Sequence, residues 1–265
     1  MEGISGVVDW AQVDRKESEY SRFVQIMTAE VNAAVSGAFE AGASQVAVVD
    51  GHDTARNIRI ESLDPRASLH YGRPSPLANV QGVDQGVDAV VMVGYHARSG
   101  APNAVLSHTW TSTSVADVWL NDRIVGEMGI AAAVCGHFGV PVIFLSGDQA
   151  ICSEAADWVP EIETVAVKKA AGRYAAECLP PAVTHPLIQR GVKTAVERLI
   201  AGKGPRPFKT PGPVRLTVRF ATPLFAEKAL LLPQITPMPD GRMVLIEASD
   251  MLTAFHLFLA AISFS

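Results

Sequence analysis

Cysteine is scarce in this sequence: Cys135, Cys152 and Cys178 are the three in a chain of 265 residues. Their spacing makes neither a zinc-finger pattern nor the framework of a disulfide-rich secreted domain. They read as buried, reduced thiols, and a cytoplasmic setting is expected. Positive charge is not in excess either. Twenty-two Lys and Arg stand against 27 Asp and Glu, a net charge of −5. No basic stripe is available to hold a nucleic acid or an anionic membrane, and neither is expected as a partner. The first residues, Met1-Glu2-Gly3-Ile4-Ser5-Gly6, carry no basic region and no apolar core, so no secretory leader is expected. The apolar stretch from 251 to 264 contains His256 and is shorter than the roughly 20 residues that span a bilayer. It reads as a buried helix. Several catalytic signatures are also missing: no Gly-x-Gly-x-x-Gly, no Gly-rich phosphate loop ending in Lys-Ser/Thr, no Gly-x-Ser-x-Gly and no His-Glu-x-x-His. Internal repeats and low-complexity tracts are absent.

What the sequence does have is a figure that occurs three times. A short β-branched run ends abruptly in small or polar residues. Val46-Ala47-Val48-Val49 runs into Asp50-Gly51-His52-Asp53, Ala89-Val90-Val91-Met92-Val93 into Gly94-Tyr95-His96, and Val142-Ile143-Phe144-Leu145 into Ser146-Gly147-Asp148. Such runs, set between helical stretches, read as buried parallel strands. In open parallel sheets the site lies beyond the carboxyl ends of the strands. The expected fold is therefore α/β, with a mostly parallel central sheet flanked by helices.

Helical periodicity covers 17–41, 126–138 and 149–158, with a further helix from about Pro186 to Ala201. Residues 75–86 read as a short helix plus turn, and 96–110, rich in Gly, Pro, Asn and Ser, as a long functional loop. Residues 115–125 resemble a hairpin turning at Asn121-Asp122-Arg123. Beyond the linker-like Gly202-Lys203-Gly204-Pro205-Arg206-Pro207, residues 214–220 alternate with period two, as an antiparallel strand with one wet face does. A strand over 243–246 and the final helix complete a smaller C-terminal α+β domain. The expected division is 1–201, a catalytic α/β domain, and 202–265.

His52 and His96 close two of the strand ends. A lone histidine is more often structural than a ligand, but the repeated context favours a shared metal site. His108 lies in the loop 96–110, where it is either a surface imidazole or a general base beside a metal. Glu127, between two glycines in an apolar context, is either a helix N-terminal carboxylate or a metal ligand. Glu2 is unremarkable alone. His70, His137, His185 and His256 lack such context and read as structural or surface residues. A nitrogen and oxygen donor set suits Zn²⁺, Mn²⁺ or Co²⁺, and two histidines with several carboxylates fit a pair of metals used for hydrolysis.

Six segments in order strongly resemble one family. They are Met-Glu-Gly-Ile-Ser-Gly (1–6), Asp-Gly-His (50–52), Gly-Tyr-His-Ala-Arg (94–98), Ser-His (107–108), Asn-Asp-Arg-x-Val-Gly-Glu-x-Gly (121–129) and Ser-Gly-Asp (146–148). The family is that of the zinc-dependent D-aminopeptidases of bacterial dipeptide-transport operons. The resemblance implies a two-zinc enzyme that removes an N-terminal D-amino acid, typically D-Ala, from short peptides. It implies Glu2, His52, His96 and Glu127 as zinc ligands, His108 as the catalytic residue, and a homodecamer of two stacked five-membered rings. The family opens on a strand ending in Asp-Met-Glu-Gly, whose Asp bridges both metals. The sequence begins at that Met, and a trimmed start is expected. The competing readings are a related peptidase or amidase of other specificity and a non-catalytic assembly protein of the same fold. A phosphoesterase is a third, disfavoured by the few basic residues, Arg98 and Arg123, near the motifs.

Overall fold

The computed structural model describes residues 1–263. Its strands are β1 (Val46–Val49), β2 (Ala67–His70), β3 (Val90–Tyr95), β4 (Val115–Leu120), β5 (Arg123–Ile124), β6 (Val142–Asp148), β7 (Glu163–Gly172), β8 (Ala175–Cys178), β9 (Val214–Phe220), β10 (Ile235–Pro237) and β11 (Met243–Ala248). Its helices are α1 (Tyr20–Glu40), α2 (Glu127–His137), α3 (Gln149–Trp158), α4 (Pro181–Ile200), α5 (Pro223–Ala229) and α6 (Met251–Ser263).

The three β-branched runs are strands, and the fold is α/β as expected. They do not all join one sheet. β3, β6 and β7 pair in parallel, with β8 antiparallel at the edge, in the order β3-β6-β7-β8. β1 pairs in parallel with β2 alone among the described residues. A cavity of about 1280 Å³ separates β1 from β3, walled by apolar side chains such as Val31 and Val35 of α1 and Val91 and Val93 of β3. β6 is buried at all seven positions, which is why its first four residues form a continuous apolar run rather than an alternating one.

The second sheet is antiparallel, in the order β10-β11-β9-β4-β5. It crosses the boundary placed between residues 201 and 202, because the hairpin β4–β5 supplies two of its strands and β4 pairs with β9. One apolar cluster joins this sheet to α2 and α6, through Val118, Leu216 and Val244 from strands and Ile130, Phe255 and Phe258 from helices. α2 is buried nearly all round, which its Ala-rich, apolar sequence allows. A second cluster packs α1 and α4 on the first sheet through Ile143, Phe144, Val167 and Ile188. A third closes the N-terminal segment, through Met1, Ile4 and Val7, against Phe23 and Met27 of α1.

The residues read as a helix from Pro186 form one that starts five residues earlier. Pro181 occupies its first turn, where the missing N–H costs nothing, and Pro186 is carried inside. Residues 75–86 form two 3-10 turns instead of a helix. The C-terminal stretch is a helix through Ser263 with Phe255 and Phe258 fully buried; Phe264 lies outside the described residues. Among the described residues no helix is long and apolar enough to cross a membrane.

Candidate metal centre

Four segments that share no secondary structure with one another meet beyond the carboxyl ends of β1 and β3. Glu2 sits in the turns of the N-terminal segment. His52 follows β1, His96 follows β3, His108 lies twelve residues further along the same loop, and Glu127 opens α2. The N-terminal segment reaches this point by lying directly on the end of β3. Gly3 N–H donates to the Gly94 carbonyl at 3.0 Å. A Cβ at Gly3 would fall 1.8 Å from the Tyr95 carbonyl oxygen, and Gly94, at φ +70°, has room for no side chain beside Ile4. Two glycines therefore permit the approach.

The side chains form two close pairs with His108 between them. His52 Nδ1 is 3.3 Å from Glu2 Oε1, and His96 Nε2 is 3.2 Å from Glu127 Oε1. His108 Nε2 stands 3.9 Å from Glu2 Oε1 and 3.7 Å from Glu127 Oε1. Its ring stacks on that of His96, with centroids 3.8 Å apart and planes 14° from parallel. The donor atoms of His96, His108 and Glu127 all lie within 4.8 Å of one another.

Each imidazole is oriented by its other nitrogen. His52 Nε2 is 3.0 Å from the Val13 carbonyl, His96 Nδ1 3.1 Å from that of Ala97, and His108 Nδ1 2.8 Å from that of Leu106. A carbonyl only accepts, so the hydrogen sits on the nitrogen facing it. The opposite nitrogen of every ring is then directed at a carboxylate. Backbone-oriented imidazoles of this kind are the usual supporting shell of metal-ligating histidines.

The electrostatics suit a cation. Burial disfavours ionisation of Glu2, but the N-terminal ammonium at 2.9 Å and the His52 imidazole hold its carboxyl well below the usual range. Burial likewise opposes charge on Glu127, and His96 beside it lowers its pKa regardless; the Trp110 N–H, donating at 2.8 Å, adds to the effect. His96 is raised in turn, burial being outweighed by Glu127 and Glu2. His108 is lowered, by burial first and by His96 second. Two ionised carboxylates and three oriented imidazoles in one enclosed cluster fit a borderline-soft ion such as zinc.

The five residues singled out in the sequence are thus brought together, and the histidines set aside are not: among them, His137 and His256 are exposed. The strand-end aspartates have other work. Asp50 accepts from the N–H groups of His52, Asn57 and Ile58 and shapes the loop that carries His52. Asp148 caps α3 and accepts from Val105 N–H. Asp53 is exposed beside Arg15. Three residues near the site lacked a signal in the sequence. Trp10 sets its ring edge-on to His108 at 5.3 Å. Glu154 accepts from Arg98 N–H, just after His96. Lys168 is buried in β7 beneath the N-terminal segment. Each depends on contacts between segments far apart in the chain.

The fold and this donor set are those of an α/β metallohydrolase. The D-aminopeptidase family, peptidase M55, matches residues 1–260. The chain is 36% identical over 259 residues to the D-aminopeptidase of Bacillus subtilis (strain 168), across 98% of this chain and 93% of that protein. It superposes with a TM-score of 0.95 on the Zn-dependent D-aminopeptidase DppA from Bacillus subtilis, described as a self-compartmentalizing protease. That match has 35% identity and spans 100% of this chain and 94% of the other. The chain belongs to the D-aminopeptidase family and is an aminopeptidase, a hydrolase of peptide bonds.

Proposed function

We propose that the protein is a zinc aminopeptidase that removes N-terminal D-amino acids, D-Ala among them, from short peptides. Glu2, His52, His96 and Glu127 hold two zinc ions, one per pair, and His108 is the catalytic residue. The observation that carries this reading is the common orientation of the three imidazoles, each tied to a backbone carbonyl and turned towards a carboxylate. Zinc bound there supplies a Lewis acid for the scissile carbonyl and a water of lowered pKa.

His108 does the proton work. Its Nδ1–H is committed to the Leu106 carbonyl, so Nε2 carries the free lone pair. Burial and the neighbouring His96 lower its pKa, which favours the neutral ring that can accept a proton. Water attacks the carbonyl carbon as His108 Nε2 takes its proton. The C–N bond then breaks as that proton passes to the leaving amine. Glu2 and Glu127, both within 4 Å of Nε2, stabilise the imidazolium between the two transfers. Trp10 packs against the ring and restricts its rotation.

A homodecamer in the cytoplasm belongs to the same reading. The self-compartmentalizing character of the Bacillus subtilis relative supports the assembly. So do the large apolar side chains left exposed, Ile60, Tyr174, Leu224 and Leu231 among them.

The test is elemental analysis of the purified chain together with release of D-Ala from D-Ala-D-Ala, with L-Ala-L-Ala as comparator. About two zinc per chain is expected, the stoichiometry of a two-metal hydrolytic site. Activity towards the D-peptide should be lost on chelation and restored by zinc. No bound metal and no release from either peptide would refute the reading. Release from the L-peptide alone would move the specificity.

A further inference from the structure

Residues 1–7 form neither helix nor strand, yet Glu2, Ile4 and Ser5 are buried. What holds their path is a pair of buried hydrogen-bonding side chains from distant elements. Lys168 of β7, 2% exposed, directs its ammonium at three main-chain carbonyls of this one segment. Nζ lies 2.5 Å from the oxygen of Glu2, 3.0 Å from that of Ile4 and 2.6 Å from that of Val7. An ammonium has three hydrogens to donate, and all three are used. From the other side Glu30 of α1, fully buried, accepts from Ser5 N–H at 2.9 Å and Ser5 Oγ–H at 2.6 Å. Ser5 Oγ is also 2.7 Å from Thr184 Oγ1 of α4.

Burying a lysine and a glutamate is costly, the more so because only Oε1 of Glu30 finds hydrogen-bond donors and Oε2 is left without one. A segment that needed only to fill space would be held more cheaply by apolar packing, which Met1, Ile4 and Val7 already provide. The two polar groups add direction: they bend the backbone through fixed points, and the first of these is the carbonyl of Glu2 itself. We propose that Lys168 is a positioning residue of the metal centre, curling residues 2–7 around its ammonium so that the Glu2 carboxylate meets His52, with Glu30 holding the far side of the curl at Ser5. This rests on the reading of Glu2 as a zinc ligand. Lys168 touches neither metal nor substrate and acts through Glu2.

The test measures zinc affinity of the purified full chain by chelator competition, and the rise in melting temperature that zinc gives over the chelated protein. Four variants are compared. Lys168→Met keeps the stem and removes the donors. Lys168→Gln keeps a shorter donor. Val192→Ala, in α4 away from the centre, is the control for general destabilisation. Glu2→Gln tests the ligand. Lys168→Met is expected to lose at least about tenfold in zinc affinity, as supporting groups of metal ligands do, with Lys168→Gln intermediate and Val192→Ala unchanged. A loss in Lys168→Met no larger than that in Val192→Ala would overturn the proposal, because the lysine would then serve stability alone. Should Lys168→Met fail to fold, Lys168→Gln decides by the same comparison. If Glu2→Gln binds zinc as tightly as the parent, the ligand reading itself fails. If Glu2→Gln weakens zinc and the Lys168 variants do not, only the positioning role fails.

Discussion

His108 sits between two residues in left-handed backbone, Leu106 at φ +47° and Trp110 at φ +65°. Neither is glycine, and such conformations cost energy that the surrounding contacts must offset. Those contacts are visible: Leu106 N–H donates to the Arg173 carbonyl, His108 N–H to that of Ala97, and Arg173 grips both oxygens of Ser107. A loop read from sequence as long and irregular is therefore a fixed mount for one imidazole. Replacing His108 by Ala should lower kcat for D-Ala-D-Ala by about a hundredfold or more, the usual contribution of a general acid–base group. Zinc content should stay close to that of the parent, because the four proposed ligands, Glu2, His52, His96 and Glu127, remain; a kcat within a few-fold of the parent would remove His108 from the chemistry. At this scale His52 and His96 were legible, since each follows a β-branched run. Glu2 was not legible from its neighbours. It became a candidate through resemblance, and its place beside His52 is a product of contacts with residues 94, 95 and 168.

Asp148 shows how an element can serve the site without belonging to it. Its Oδ1 caps α3 through the N–H groups of Ala150 and Ile151, and its Oδ2 takes the Val105 N–H at 2.8 Å. One carboxylate thus ties the end of β6 to the loop that carries His108. Asp148→Ala should cost about 2–4 kcal/mol, combining a lost cap with a lost charge-assisted bond. It should also lower kcat through the loosened loop. Chemical denaturation and turnover measured side by side would check both, and full activity would show that the loop holds without this anchor. The strand β6 and helix α3 were read correctly because an apolar run and an amphipathic one are strong local signals. β7 and β8 were not, because Glu-Thr-Val-Ala-Val-Lys-Lys-Ala-Ala-Gly carries weak β preference and two lysines. Pairing with β6 makes β7 a strand, and a buried role for Lys168 makes one of those lysines an inward residue. The short elements α5 and β10 are likewise set by their neighbours.

Across the whole molecule, the second sheet is built from residues on both sides of the expected domain boundary, and its cluster reaches α2, whose first residue is Glu127. The C-terminal strands therefore support the helix that presents a site carboxylate. The aliphatic stretch Ala229-Leu230-Leu231-Leu232 is part core and part surface, with Ala229 buried and Leu231 74% exposed. If the exposed apolar residues are covered by further copies of the chain, light scattering after size exclusion should give ten times the chain mass of 28.2 kDa. Leu231→Asp should shift the distribution to smaller species, since a charge buried at an interface is strongly unfavourable. A monomer in the parent protein would refute the assembly.

The sequence by itself determined the class of fold, the strand ends at His52 and His96, the long loop with His108, and the apolar helix led by Glu127. These are written in local periodicity and in abrupt changes of residue type, which any short window of chain contains. Tertiary structure alone decided which strands pair, that β4 and β5 join the C-terminal sheet, and that Asp50 and Asp148 bind backbone amides. It also decided that Glu2 stands opposite His52. Such outcomes depend on hydrogen bonds and charges brought together from positions as far apart as residues 2 and 168, and no local pattern records them.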